Sequence, residues 1–410
     1  MSGGQQSGMS DAGAKDDREM LDLAARLAVR AAGRVEPNPL VGCVIVGRAE
    51  AGEKRSARER IIGMGHHRVN GGPHAEAEAL TDARRRGRET TGATVYVTLE
   101  PCGGMGRQPP CAEALIAAKV GEVVIARRDE HPKGKDAAKR LEAAGIRVRF
   151  TDASLNATRV GEPFARRLAT GRPWVIAKWA QTIDGRIATR TGASKWISSE
   201  RSRLAVHRLR GRVDAILTGI GTARADDPEL IARGVSRRRV ARRVVIDPRL
   251  SLASSSRLAG SIERAPLTVL STATAMDAAV GRVAELERAG AEVVAARTVS
   301  ADKMDERCTG ERDGEGVEID LAAALAWLAR ERGVATLLVE AGPGTLGRLA
   351  CADLIDEYHV YIAPLLMADG EACPAMSGGV TETLTGARRL ELVSSRVVGP
   401  DVRLVFRRGV

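Results

Sequence analysis

The chain has 410 residues, 44% hydrophobic and 28% charged, with a formal charge of +11. That is more than one typical core accommodates and predicts two domains, while the lack of any run of about eighteen apolar residues argues against a membrane span. With aromatics at only 2%, base-stacking platforms are scarce, so the positive field suits an anionic, phosphorylated small molecule better than nucleic acid.

Residues 1–18 are polar, lack the apolar centre of a signal peptide, and read as a disordered leader. Met20, Leu23, Leu27 and Ala31 then recur on one helical face, with Gly33 as the stop. Glu36-Pro37-Asn38-Pro39 cannot continue a helix, and residues 41–46 read as a buried strand. His74 opens a helix running to about Arg86. A strand over residues 94–100 follows, delivering Pro101-Cys102 to its end. Pro109 and Pro110 suit helix entry, which places Cys111 in a first turn whose dipole favours a thiolate. EVVIAR, KDAAKRLEAAG and IRVRF repeat strand, helix and strand, so a largely parallel sheet closes a first domain over residues 19–155.

Between Gly72 and Cys111 the chain carries His74-Ala75-Glu76, Glu100-Pro101-Cys102 and Pro109-Pro110-Cys111. A catalytic zinc keeps three nitrogen or sulfur ligands and an open position for water, and His74, Cys102 and Cys111 supply that set. Glu76 is placed to take a proton from that water and return it to a leaving amine, as hydrolytic deamination requires. H-x-E followed by P-C-x-x-C marks zinc deaminases, although here eight residues rather than two separate the cysteines. The competing readings are a structural zinc closed by Cys43, or three buried residues unrelated to metal. The six cysteines, at 43, 102, 111, 308, 351 and 373, are too thinly spread for a disulfide framework, which suits reduced thiols in the cytoplasm.

Gly161, Gly171 and Pro173 mark a linker, and a second domain follows over residues 172–410. WVIAKWAQ is a strand, SKWISSE leads into a helix from about Glu200 to Arg210, and AILTGI, RRVVID, TVLS and AEVVAA are further strands. The basic run SRRRVARR at 236–243 reads as a solvated loop entering a strand. A surface excursion is expected between Val299 and Val317, then a helix over Leu321 to Arg332 and a buried strand at 336–340. The glycine-rich turn AGPGTLG after it can present free N–H groups to a phosphate, or be a tight turn with no ligand. YHVYIAP, ELVSS and RLVFRR close the domain as strands whose order the pattern does not reveal.

Taken in order, PNPLVGCVIV, GMGHH, GPHAEAEAL and VTLEPCGGMGRQPPCAEALI, then KWAQTIDGRIATRTGASKWIS, RLRGRVDAILTGIGTARADDPEL and LLVEAGPGTLG, carry a further signal. From Met20 nearly to the C-terminus the chain resembles the bifunctional riboflavin-biosynthesis deaminase/reductase family. The resemblance implies an α/β protein with a cytidine-deaminase-like three-layer α/β/α N-terminal domain and a dihydrofolate-reductase-like α/β C-terminal domain. It implies two successive steps. The first is zinc-dependent hydrolytic deamination of 2,5-diamino-6-ribosylamino-4(3H)-pyrimidinone 5′-phosphate; the second is NADPH-dependent reduction of the ribosyl group of 5-amino-6-(5-phosphoribosylamino)uracil to ribityl. Zn2+, one per chain, and NADPH are the implied cofactors, and a homo-oligomer, dimer or tetramer, is the expected assembly.

Carried over by the resemblance, His74, Cys102 and Cys111 are zinc ligands and Glu76 the proton shuttle. Ser194, Arg210, Leu230, Arg233 and Glu340 match substrate positions. Ala180, Trp196, Thr222, Asp226 and the loop Gly342, Pro343, Gly344, Thr345, Leu346, Gly347 and Arg348 match cofactor positions. Physically, Arg210 and Arg233 can clamp a phosphate or form ion pairs, Trp196 can cover the nicotinamide or sit in the core, and Asp226 can be a plain turn residue. Lys178 and Asp184 fall within the motif with roles open. Two departures stand out. Gly103-Gly104-Met105 replaces the family's usual Ser-His-His, and Lys-Trp-Ala-Gln-Thr opens the second half where a small residue and Ser are commoner. His66 and His67 read as loop histidines, one of them able to touch substrate. Two rival functions remain: a deaminase of free nucleosides or tRNA bases with an unrelated second domain, and a zinc-stabilised nucleic-acid-binding protein.

Overall fold

The structure, a computed structural model, describes residues 11–50, 52, 54–105, 109–131, 136–300, 317–379, 381 and 383–409. The chain divides into two compact units, Met1–Thr170 and Gly171–Val410.

The first unit runs α1 (Asp11–Val29), β1 (Gly42–Val46), β2 (Ile61–His66), α2 (Ala75–Arg85), β3 (Thr94–Val97), α3 (Cys111–Ala117), β4 (Glu122–Ile125), α4 (Ala137–Ala143), β5 (Arg147–Phe150), α5 (Leu155–Val160) and α6 (Glu162–Thr170). The sheet order is β2-β1-β3-β4-β5, with β1 antiparallel to both neighbours and β3, β4 and β5 parallel. Strand side chains alternate faces, so one sheet feeds two cores. Val44, Val46, Tyr96 and Val124 meet Met20, Leu21 and Ala24 of α1 and Ala157 of α5. Cys43, Ile45, Val95 and Val97 meet Ala75 and Ala79 of α2, Leu115 of α3 and Leu141 of α4. Three layers result.

Two boundaries differ from the sequence reading. The leader expected over 1–18 lies outside the described residues up to residue 10, but from Asp11 the chain is helical. Asp17 is buried and takes both terminal nitrogens of Arg149, a tether that composition does not reveal. The first unit also runs on past residue 155 to Thr170. Ser154 caps α5 by accepting from Ala157 N and donates to Asp22 of α1, so the presumed linker is packed helix.

The second unit holds β6 (Trp174–Gln181), β7 (Arg186–Ala188), α7 (Glu200–Arg210), β8 (Ala215–Gly219), α8 (Ile220–Asp226), β9 (Arg242–Ile246), β10 (Leu267–Ser271), α9 (Ala273–Ala278), α10 (Val280–Arg288) and β11 (Glu292–Ala295). It continues with β12 (Thr298–Ser300), β13 (Val317–Ile319), α11 (Leu321–Arg332), β14 (Thr336–Val339), α12 (Pro343–Cys351), β15 (Glu357–Ile362), β16 (Cys373–Pro374), β17 (Leu390–Val398) and β18 (Asp401–Arg408). Nine strands form one sheet in the order β11-β10-β9-β8-β14-β6-β15-β18-β17. It is parallel from β11 through β15, and β18 and β17 are antiparallel at the edge. Leu217, Val244, Leu337 and Val339 face α11 and α12, while Ile216, Val245, Val269 and Leu338 face Leu286 of α10 and Ala223 of α8.

The basic run at 236–243 is not wholly solvated. Arg243 on β9 is fully buried and donates to the Ser261 hydroxyl and to the Ser261 and Ala265 carbonyls, while Arg242 pairs with Glu292. Oxygens left over by the turn at Ala259–Arg264 serve the guanidinium in place of water. The excursion expected between Val299 and Val317 falls largely on residues 301–316, which lie outside the described residues, as does Cys308; β12 and β13 pair across it. Among the described residues no helix is long and apolar enough to cross a membrane.

Candidate active sites

In the first unit, two helix starts converge on one strand end. His74 is the N-cap of α2, Cys111 opens α3, and the chain leaving β3 brings Cys102 between them. His74 Nδ1 lies 3.2 Å from Cys111 Sγ and 3.5 Å from Cys102 Sγ, and the Cys111 N–H donates to Cys102 Sγ at 3.2 Å. The three donor atoms all lie within 4.8 Å of one another. Zinc bonds of about 2.0–2.3 Å in tetrahedral geometry separate donors by roughly 3–4 Å, so this set fits the ion. Cys43 packs in the core against Ala75 and Ala79 and is not part of the group, so it does not close the site as a fourth ligand.

Glu76, in the first turn of α2, is 3% exposed. Burial, reinforced by the adjacent Cys102, raises its carboxyl to about 6. The hydrogen bond from the Cys111 thiol draws Cys102 down to about 4, and the same bond, with burial, pushes Cys111 far up. His74 is raised chiefly by its bond to Cys102. Protons distributed in this way over nitrogen and sulfur are those a cation displaces on binding.

Glycines in β2 allow this convergence. A Cβ on Gly65 would sit 2.4 Å from both the Ala75 carbonyl and the Ala79 nitrogen. The α2 backbone therefore lies directly on β2, with Ala75 between His74 and Glu76. Gly65→Ala is expected to shift that turn, destabilise the first unit by roughly 1–3 kcal/mol, and lower the zinc bound per chain. Thermal unfolding and metal content measure this, and a variant with unaltered zinc content would show the contact to be dispensable.

A cavity of about 480 Å3 opens onto the cluster. His67 lines it and is buried rather than solvated, in contrast to the sequence reading. Its Nδ1 donates to the Pro73 carbonyl at 2.9 Å and its Nε2 accepts from the Asn38 amide at 3.3 Å. Burial lowers its pKa, keeping the ring neutral. Asn38, Asp129, Phe164 and Arg167 also line the cavity, and the sequence reading singled out none of them. Ser154 as a cap and Pro163 in a first helical turn were the available signals for the helices that bring in the last two.

In the second unit, adjacent parallel strands β8 and β14 each feed a helix, and the two first turns face one another. A Cβ on Gly219 would lie 2.4 Å from Thr345 Oγ1, and one on Gly342 would lie 3.2 Å from Thr222 Oγ1. The structure thus brings Thr222 together with Gly342, Pro343, Gly344 and Thr345 at strand ends, where a helix N-terminus offers free N–H groups to phosphate. A Cβ on Gly344 would meet open space, so this turn can be approached closely and fits a nucleotide phosphate. The rest of the loop points elsewhere. Leu346 and Gly347 are buried, and Arg348 pairs with Glu318 at 2.6 Å.

Arg210 Nε and Nη2 donate to the two Glu340 oxygens at 2.6 and 3.0 Å, with Lys178 Nζ 3.7 Å from Glu340. Burial opposes ionisation of Glu340, but the Arg210 and Lys178 charges outweigh it and hold the carboxyl at about 2. With Nη1 also donating to the Ile231 carbonyl at 3.3 Å, all three nitrogens are committed and Arg210 is largely unavailable as half of a phosphate clamp. Arg233 remains half-exposed, bonded through Nη1 to Glu229. Its backbone N–H donates to His207, whose ring feels both arginines. Leu230 has its side chain in the core and φ of +50°, so only its main chain can meet a ligand. Trp196 is 67% exposed, with the Arg203 guanidinium 4.5 Å from its ring centroid, and is not a core tryptophan. Ala180 and Ser194 are half-buried, and Asp226 ends α8 beside Lys195.

The comparisons with known proteins cover both units. Residues 14–127 match the cytidine and deoxycytidylate deaminase zinc-binding region, and residues 173–404 match the RibD C-terminal domain. The riboflavin biosynthesis protein RibD of Aquifex aeolicus is 33% identical over 400 residues, covering 96% of this chain and 98% of that protein. The Escherichia coli protein of the same name is 34% identical over 391 residues, covering 95% and 98%. Among solved structures, Acinetobacter baumannii RibD superposes with a TM-score of 0.72 at 29% identity, covering 97% of this chain and 100% of that one. A diaminohydroxyphosphoribosylaminopyrimidine deaminase/5-amino-6-(5-phosphoribosylamino)uracil reductase from Thermotoga maritima gives 0.74 at 27% identity, with the same coverage.

Proposed function

The chain belongs to the RibD family of bifunctional riboflavin-biosynthesis enzymes, and from that premise we propose how its residues divide two successive reactions. The protein deaminates 2,5-diamino-6-ribosylamino-4(3H)-pyrimidinone 5′-phosphate and reduces the ribosyl unit of the product to ribityl. Zinc and NADPH are its cofactors. A matching reductase half leaves no room for a deaminase with an unrelated second domain.

For deamination, His74 Nδ1 and the Cys102 and Cys111 sulfurs hold zinc, which when bound supplies an acidified water at its open position. The Cys111 N–H steadies the Cys102 sulfur. Glu76 accepts a proton and later passes it to the departing amine, a role suited to a buried carboxyl beside the three donor atoms. The convergence of three donor atoms beside that buried acid carries this reading.

For reduction, NADPH supplies hydride when bound. The Gly342 to Thr345 turn and Thr222 receive its phosphates, and the exposed Trp196 ring offers the nicotinamide a flat face. Arg233 and the Leu230 main chain hold the substrate. Arg210 acts mainly by orienting Glu340, with Lys178 completing the ion pair. The enzyme is a cytoplasmic homo-oligomer, dimer or tetramer, a setting in keeping with five described cysteines that are all free.

The test supplies the diaminopyrimidine phosphate to zinc-loaded protein with and without NADPH and identifies products by mass. The deaminated ribosyl compound is expected without NADPH and the ribityl compound with it. Unaltered substrate in the first case removes the deaminase assignment, and no ribityl product in the second removes the reductase assignment.

A further inference from the structure

We propose that Arg167 anchors the 5′-phosphate of the pyrimidine substrate in the deaminase cavity. The inference deepens the deaminase assignment above and rests on it. Arg167 projects from α6 to the wall of the cavity that contains His74, Cys102 and Glu76. Its Nε is buried without a hydrogen-bond partner, its Nη2 reaches only the Pro37 carbonyl at 3.4 Å, and it makes no ion pair among the described residues. Burial lowers its pKa and no neighbouring carboxylate offsets that. A guanidinium does not give up its proton, so this half-buried charge without a carboxylate partner is suited to receive an anion.

The rest of the cavity sharpens the point. Its carboxylates are Glu76, Glu100 and Asp129, and Arg167 is its single Arg or Lys among the described residues. Gly104 and Met105, on the wall beside Cys102, bring no charged donor. A phosphate ester with between one and two negative charges near neutral pH therefore meets Arg167 as the permanent cation among the described lining residues. The helix also holds that cation in place. Phe164, one turn earlier on α6, stacks on His131 with ring centroids 6.3 Å apart, which turns the same helical face to the cavity. A planar fork whose terminal nitrogens make one long contact, from Nη2 to the Pro37 carbonyl, suits two-point recognition of phosphate.

The experiment compares deamination of the phosphorylated substrate with that of its phosphate-free riboside in wild type, Arg167→Gln and Arg167→Lys. Zinc content and reductase turnover in the same samples report folding. Arg167→Gln is expected to lower the preference for the phosphorylated substrate about 100-fold, the order of a lost two-point charged contact, chiefly through KM. Arg167→Lys, which keeps charge but loses the fork, is expected to fall between. If Arg167→Gln loses zinc, the Lys variant carries the comparison. Equal losses on both substrates, or no loss in either variant, overturn the anchor while leaving the deaminase assignment intact. A wild type that deaminates neither compound overturns that assignment, and the anchor with it.

Discussion

Replacing Glu76 by Gln is expected to reduce deamination by about 10³-fold, within the range known for a positioned proton carrier, while zinc stays bound. The substitution keeps side-chain size and leaves His74, Cys102 and Cys111 unchanged, so the metal set has no reason to open. It removes the only atoms of that residue able to bind and release a proton. Because Glu76 is buried, bulk water is poorly placed to stand in for it. Ammonia release alongside zinc content separates the two effects, and reductase turnover should hold. Near-normal deamination would remove the assigned role. Loss of zinc would show instead that Glu76 maintains the ligand geometry.

The second large effect is expected at Arg210. Arg210→Met strips Glu340 of both short hydrogen bonds and leaves Lys178, 3.7 Å away, as the nearest described cation to balance a buried carboxylate. Breaking a buried pair from one side costs about 3–5 kcal/mol, and reductase turnover should fall with it as Glu340 moves. Adding Glu340→Gln removes the stranded charge. The double variant is therefore expected to be more stable than the sum of the single losses predicts, with a coupling of about 0.5–3 kcal/mol. Denaturant unfolding of the second unit measures it. A loss below about 0.5 kcal/mol for Arg210→Met would show that water or another side chain already serves Glu340.

Much of the deaminase site was legible because its chemistry depends on residue type and local spacing. A histidine and an acid two apart fall at one helix start, and a proline before each cysteine marks a strand exit and a helix entry. What escaped notice was the wall around it. Gly161 read as linker punctuation, yet it joins two short helices that pack on the unit and bring Phe164 and Arg167 to the cavity. In β2, glycines at alternate positions weakened the strand pattern, although they are there because α2 lies against them.

The amino-acid order by itself determined the elements with strong local signals: WVIAKWAQ as a strand and the helix at Leu321–Arg332; it also marked His74, Cys102 and Cys111, which the fold gathers into a cluster able to hold a metal ion. Tertiary structure alone decided which distant segments meet. It inserted β14 between β8 and β6, which set Gly342 against Thr222 and Glu340 against Arg210. Strand pairing is a contest among many apolar stretches of similar pattern, settled by burial across the whole sheet, whereas a helix face or a turn is settled within a few residues of itself.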